Sequence, residues 1–292
     1  MNQARRNRSG VQSGRAARLL FWTSLPLAAI QGLGVRRRAL QLPPPPGIGS
    51  GTARPEPGNA VAVVADSEPG DARPRATALR LLVVGDSIAA GIGATAWRGT
   101  LASCLAKALA ATTGRSVEWA ASGRSGDSVA DLLLRVTGGV TAAGAEWWEE
   151  SGAPPDVVLV SIGVNDVTGL TRLRHWSRAI TELADRLRRR WPRAVIVFAG
   201  LPEMEHFPLP PQPLKYCLGL RARQLDRLLA TAVSPRPGML HVETRVDPEN
   251  PAFCADGFHP STEGYAAWAE ALAQRLTPLM PSDDTRNRSI RS

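Results

Sequence analysis

The chain has 292 residues, 43% of them hydrophobic, with a formal charge of +9. That apolar content is enough to bury a core, which excludes a wholly disordered chain; the length suits one large domain or two small ones. The charge does not define a nucleic-acid-binding face, because residues 1–80 carry a net +8 (twelve Arg, four acids) and residues 81–292 only +1. Cys104, Cys217 and Cys254 make neither a disulfide framework nor a CxxC pair, and the four histidines lie far apart, so no structural zinc site is expected. A single Cys217–Cys254 bridge stays open.

Residues 1–38 combine an Arg-rich start with an uncharged stretch over 19–35, "LLFWTSLPLAAIQGLGV", closed by Arg36-Arg37-Arg38. At 17 residues it is at the short limit for a membrane-spanning helix, and Pro26, Gln31 and Gly32 weaken it. It reads as an anchor-like or signal-like segment. The expected location is therefore membrane-associated or exported, with a cytoplasmic one left open. Residues 39–78, with "PPPPG" at 43–47, read as a semi-rigid Pro/Gly/Ala-rich linker. Residues 281–292 read as a disordered tail.

From 79 to 280 the pattern alternates. Short β-branched runs at 81–84, 117–121, 157–162, 195–199 and 240–242 predict strands. Helical stretches lie between them. The clearest spans about 171–191, where Leu173, Trp176, Ile180, Leu183, Leu187 and Trp191 recur at three- and four-residue steps and Pro192 follows. Others span about 214–233 and from 261 to just before Pro278. Strands with little alternation are buried on both faces, as in a parallel sheet covered by helices. Five such units predict a three-layer α/β/α domain around a five-stranded parallel sheet.

In open α/β sheets the functional groups sit beyond the carboxyl ends of the strands. The first strand exits at Gly85-Asp86-Ser87. The second leads to Gly123, the third to Gly163-Val164-Asn165-Asp166, and the fourth into a Pro-rich loop. The fifth leads toward "DPENPAFCADGFHPS", which holds Asp256 and His259. A serine hydroxyl is a weak nucleophile until a base takes its proton. His259 can serve as that base, and Asp256, three residues earlier, can hold the other ring N–H. An oxyanion needs donors aimed at it; the N–H groups of Ser87 and Gly123 and the amide of Asn165 are candidates.

Taken in order, Gly85-Asp86-Ser87, Gly123, Gly163-x-Asn165-Asp166 and Asp256-x-x-His259 resemble the motifs of the SGNH hydrolases, the GDSL-type esterases and lipases. The resemblance covers residues 79–280 and departs only at Ile88, where that group carries leucine. It implies a flavodoxin-like parallel sheet and a hydrolase of carboxylic esters. It also implies a Ser87–His259–Asp256 triad, oxyanion donors at Ser87, Gly123 and Asn165, and neither metal nor cofactor. A carbohydrate O-deacetylase, a thioesterase or an acyltransferase would use the same site. An inactive membrane-tethered binding protein is the reading from another class. The partner is a small-molecule or lipid ester, with no nucleic acid.

Gly91-x-Gly93-x-x-Ala96 also fits a dinucleotide-binding fingerprint, but Gly91 comes seven residues after the last strand position, Val84, where that fingerprint needs its first glycine directly. These glycines are expected to let the chain pass close beneath the site. Asp86 and Asp166 are expected to brace their turns. Met204, Phe207 and Leu209, in the Pro-rich loop, are equally open to a substrate wall or a core cap. Trp147-Trp148 is expected in the core.

Overall fold

A computed structural model describes residues 31, 42–47, 49–55, 61–64, 78–138, 154–247, 249 and 252–280. The expected positions at Trp147-Trp148, the tail and, apart from Gln31, the apolar segment 19–35 lie outside the described residues. Among the described residues no helix is long and apolar enough to cross a membrane. Gln31 sits at the start of a later helix: its Oε1 accepts from Leu214 N–H at 3.2 Å, and its Nε2 donates to Gln212 O at 2.9 Å.

The strands are β1 (Ser50–Pro55), β2 (Val61–Val64), β3 (Leu79–Gly85), β4 (Val117–Gly123), β5 (Val157–Ser161), β6 (Val195–Ala199) and β7 (Met239–Val242). The helices are α1 (Leu101–Thr113), α2 (Val129–Gly138), α3 (Val164–Thr168), α4 (Leu173–Arg190), α5 (Leu214–Val233) and α6 (Thr262–Leu276). One sheet runs in the order β2-β1-β4-β3-β5-β6-β7. The five strands from β4 to β7 pair in parallel, as expected.

The sheet is larger than the sequence pattern predicts. β1 pairs antiparallel with both β4 and β2, so the stretch expected as linker supplies two further strands, with β2 at the edge. Composition hides β1, since "SGTARP" has one threonine and no other β-branched residue; β2, "VAVV", is β-branched but short and set in the Pro/Gly/Ala-rich stretch.

The chemistry of the strands sets the layers. β5, "VVLVS", is buried at all five positions, so helices must cover both faces. α1 and α6 pack together on one face; α2, α4 and α5 pack in series on the other. In α4, Trp176, Ile180, Leu183 and Leu187 form the buried stripe that the periodicity predicts, and Trp176 Nε1 donates to Leu225 O at 3.0 Å, tying α4 to α5. The hydroxyl of Ser261 caps α6 by accepting from Gly264 N–H at 3.3 Å. This cap, two residues after His259, fixes where the helix begins.

Candidate active site

Three strand exits converge because their strands are neighbours. Gly85 pairs with Gly123 on one side and with Ser161 on the other, and Asp86 N–H donates to Ser161 O at 3.1 Å. The chain then turns tightly: Ala90 N–H bonds Asp86 O and Ile92 N–H bonds Ser87 O, both at 3.0 Å. Ser87 caps no helix in this turn, and its own N–H has no partner among the described residues.

His259 Nε2 lies 2.9 Å from Ser87 Oγ, and His259 Nδ1 lies 2.6 Å from Asp256 Oδ2. Asp256 Oδ1 accepts three further hydrogen bonds, from Phe258 N–H and His259 N–H at 2.9 Å and from the Cys254 thiol at 3.0 Å. Burial pushes the Asp256 carboxyl up, but the bonds from Cys254, His259 and Phe258 outweigh it and leave the group below its usual range. An anionic Asp256 holds the Nδ1 proton, which leaves Nε2 free to accept from the serine. Burial and the bond to Asp256 in turn raise the Cys254 thiol to about 11. It therefore stays a neutral donor. All three cysteines are free, so the open Cys217–Cys254 bridge does not form.

The glycines near Ser87 serve close packing. Gly93 has φ +97°, and a Cβ there would lie 2.4 Å from Pro260 O and 3.2 Å from His259 Cβ. The loop passes directly under the histidine, as the sequence suggests. At Gly123 a Cβ would lie 1.9 Å from Ala90 N. Its N–H is another matter. Ala121 N–H bonds Gly49 O on the β1 side, and Arg124 N–H bonds Gly85 O on the β3 side. N–H directions alternate along a strand, so that of Gly123 faces β1, away from the serine strand. Expected as a donor, Gly123 is a packing residue in this geometry.

Asn165 stands at the β5 exit, one residue past Val164. Its Nδ2 donates to Asp127 O at 2.9 Å, which joins it to the turn after β4. That turn contains Gly126 with φ +88°. Asp86 and Asp166 are braces, as expected. Asp86 Oδ1 accepts from Ile88 N–H at 3.1 Å; Asp166 accepts from Val129 N–H at 2.9 Å and from Thr171 Oγ1 at 2.8 Å.

Two supports escaped the sequence reading. Arg135 on α2 is nearly buried and binds Asp127 Oδ2 at 2.7 Å and Gly85 O at 2.8 Å, pinning both strand exits. Its only sequence signal was an arginine eight residues beyond Asp127. His241 Nε2 lies 2.8 Å from Asp226 Oδ1, which also accepts from Leu201 N–H at 2.9 Å. No local spacing announces that pair, since it joins β7 to α5.

A cavity of about 590 Å³ opens at Ser87 and His259. Phe207 lines it, packed edge-on against Phe258 with ring centroids 5.3 Å apart. The other two expected wall residues do not. Met204 is fully buried in the core against the α5 side, because a short helical turn, Met204–His206, folds it inward. Leu209 braces the loop that carries Asp256 and His259 through its backbone, donating to Gly257 O at 3.1 Å.

Ser87, His259 and Asp256 are thus joined in this order beyond the strand exits of an α/β/α sheet. The family model described as the GDSL-like Lipase/Acylhydrolase family matches residues 83–267; the chain belongs to this family. The GDSL-like esterase Rv1075c of Mycobacterium tuberculosis is 29% identical over 205 residues, covering 66% of this chain. The chain spans about 60% of the length of that curated relative. Two solved structures share the fold. A Corynascus thermopiles (Myceliophthora fergusii) carbohydrate esterase family 2 enzyme with a carbohydrate-binding domain has TM-score 0.54 and 17% identity, covering 75% of this chain and 70% of that one. A Clostridium thermocellum family 3 carbohydrate esterase has TM-score 0.51 and 18% identity, covering 69% and 96%.

Proposed function

We propose that the protein is a serine hydrolase of carboxylic esters that works through an acyl-enzyme. The observation that carries this reading is the unbroken chain of hydrogen bonds from Ser87 Oγ through His259 to Asp256, at 2.9 and 2.6 Å. Membership of the GDSL-like family supports the same chemistry.

In this reading Ser87 Oγ attacks the ester carbonyl carbon while its proton passes to His259 Nε2. The imidazolium so formed is stabilised by the anionic Asp256. The tetrahedral intermediate collapses, the C–O bond to the alcohol breaks, and the alcohol leaves with the Nε2 proton. Water then attacks the acyl-serine, giving its proton to Nε2, and the carboxylic acid departs as Ser87 regains its hydrogen. The oxyanion is held by Ser87 N–H and by the second amide hydrogen of Asn165. A third donor, in place of the sequence-expected Gly123, is Gly126 N–H, in the turn that Asn165 touches; that N–H has no partner among the described residues.

The test is hydrolysis of p-nitrophenyl acetate by the full chain and by Ser87→Ala. Loss of at least 10³-fold in kcat is expected, since removing the nucleophile of such a unit disables all of it. Activity retained in the variant contradicts the mechanism.

A further inference from the structure

The three donors assigned to the oxyanion come from three separate segments: Ser87 from the turn after β3, Gly126 from the turn after β4, and Asn165 from α3. Such donors stabilise a transition state only when their mutual positions are fixed before the reaction. A displacement of about 1 Å can cost roughly 10²-fold in rate. The weak point is the turn after β4. Arg124, Ser125 and Gly126 are all exposed, so core packing does not hold the Gly126 donor in place.

Hydrogen bonds supply part of the fastening. Arg124 N–H bonds Gly85 O and Asp127 N–H bonds Arg124 O, both at 3.2 Å. Asn165 Nδ2 bonds Asp127 O at 2.9 Å. One side chain closes the frame. Arg135 Nε donates to Asp127 Oδ2 at 2.7 Å, Nη2 to Gly85 O at 2.8 Å and Nη1 to Ser122 Oγ at 3.4 Å. Each nitrogen of the guanidinium has its own acceptor. Ser122 lies before the exposed turn, Asp127 after it, and Gly85 on the serine strand.

Helix α2 is built to deliver this arginine. Its start is anchored twice: Val129 N–H bonds Asp166 Oδ2 at 2.9 Å, and Ser128 N–H and Oγ bond Asp131 Oδ2 at 2.9 and 2.6 Å. The buried Val129 and Leu132 fix its rotation. Helical side chains lean toward the N-terminus, so Arg135 reaches back from the second turn to the strand exits.

Stability does not account for the residue. The ion pair is nearly shut off from water, with 10% of the Arg135 side chain and 7% of the Asp127 side chain exposed. Desolvating two charges offsets most of their attraction, so apolar groups of similar volume would hold the fold as well. What the pair adds is geometry, since a guanidinium presents its N–H groups in one rigid plane. It also adds charge balance. Asp127 stands close enough to Asp86 to raise that carboxyl, and an unpaired anion there would oppose the negative charge that develops beside Ser87.

We propose that Arg135 is a positioning residue for catalysis. It sets the spacing of the Ser87, Gly126 and Asn165 donors, and it acts from outside the cavity wall, since it is not among the described residues that line the cavity. The inference rests on the ester-hydrolase reading above and on its oxyanion donors.

The experiment compares the full chain with Arg135→Lys, with the double variant Arg135→Met/Asp127→Leu, and with Asn165→Ala. Hydrolysis of p-nitrophenyl acetate is expressed per site titrated by a fluorophosphonate, so unfolded protein does not count. For each protein the Ki of an aryl trifluoromethyl ketone, which forms a hemiketal oxyanion on Ser87, is measured as well. The double variant keeps a Tm close to that of the wild type. It loses about 10²-fold in kcat, with KM changed by less than about threefold and Ki raised in proportion to the kcat loss. Arg135→Lys keeps the charge but reaches fewer of the three acceptors, and it loses about tenfold in kcat; it decides alone if the double variant does not fold. A kcat within about twofold of the wild type in Arg135→Lys or in the folded double variant overturns the inference. So does a loss confined to KM, or a fall in kcat with Ki unchanged. Asn165→Ala separates the two readings: an unchanged kcat there, or a wild type inactive on the ester, contradicts the ester-hydrolase reading and its donors instead.

Discussion

Asp256 and Asp86 lie on the two turns that meet at Ser87 and are both buried, yet their surroundings act in opposite directions. Asp256 receives three donors on one oxygen and the His259 ring on the other, and its carboxyl is held below the usual range despite burial. Asp86 receives one backbone donor, from Ile88. Burial, with Asp166 and Asp127 nearby, raises it to about 7 against the backbone bond. Burial alone does not decide whether a carboxyl is charged; the number of donors aimed at it does. One turn is built to keep an anion beside the histidine. The other carries its aspartate as a brace that is neutral over much of the acidic range.

Three substitutions probe that contrast. The largest effect is expected from Asp256→Asn. It keeps an acceptor for the Phe258 and His259 amides but removes the charge and favours the wrong imidazole tautomer. A fall of about 10⁴-fold in kcat is expected. A fall of less than tenfold would show that the anion is not what His259 requires.

The second concerns stability. The native state keeps a proton on Asp86 up to pH about 7, whereas the unfolded chain loses it near the ordinary value of 3.8. Between those values the native state binds more protons, so this group's contribution falls as pH rises. Asp256 works in the opposite sense: its contribution is present above the unfolded value and is lost as pH falls through the native one. Asp86→Asn retains the acceptor for Ile88 and removes the titration. It is expected to flatten the decline in Tm between pH 4 and 7 and to raise stability at pH 8 by about 2–4 kcal/mol. An unchanged pH profile of Tm would mean that Asp86 is not protonated in the native state.

The smallest effect is expected at Cys254. Cys254→Ala removes one neutral donor from Asp256 Oδ1 and should cost about 3- to 10-fold in kcat, the equivalent of ~1 kcal/mol. Cys254→Ser should restore most of it. Equal rates in all three proteins would remove the thiol from the account of why Asp256 stays charged.

Much of this was legible in the sequence. The five parallel strands and three of the helices follow from their apolar periods, and Ser87, Asp256 and His259 from residue types at successive strand exits. What was not legible depends on partners distant in the chain. β1 gains its pairing from β4 rather than from local propensity, and β2 pairs in turn with β1. The packing role of Gly123 emerges only from ladder direction, which pattern reading does not carry. Met204 and Phe207, three residues apart in one loop, are both buried, but only Phe207, packed edge-on against Phe258, also reaches the cavity, a difference set by contacts between loops. Arg135 and the His241–Asp226 pair depend on contacts between elements, for which a single sequence holds no periodic signal.

The most direct test of the central claim is to treat the full chain with an active-site fluorophosphonate and map the adduct by peptide mass spectrometry. The account predicts one phosphonylated residue, Ser87, with labelling slowed by at least 10²-fold in His259→Ala, because a serine without its base is a weak nucleophile. An adduct on another residue, or equal labelling of the two proteins, would contradict it.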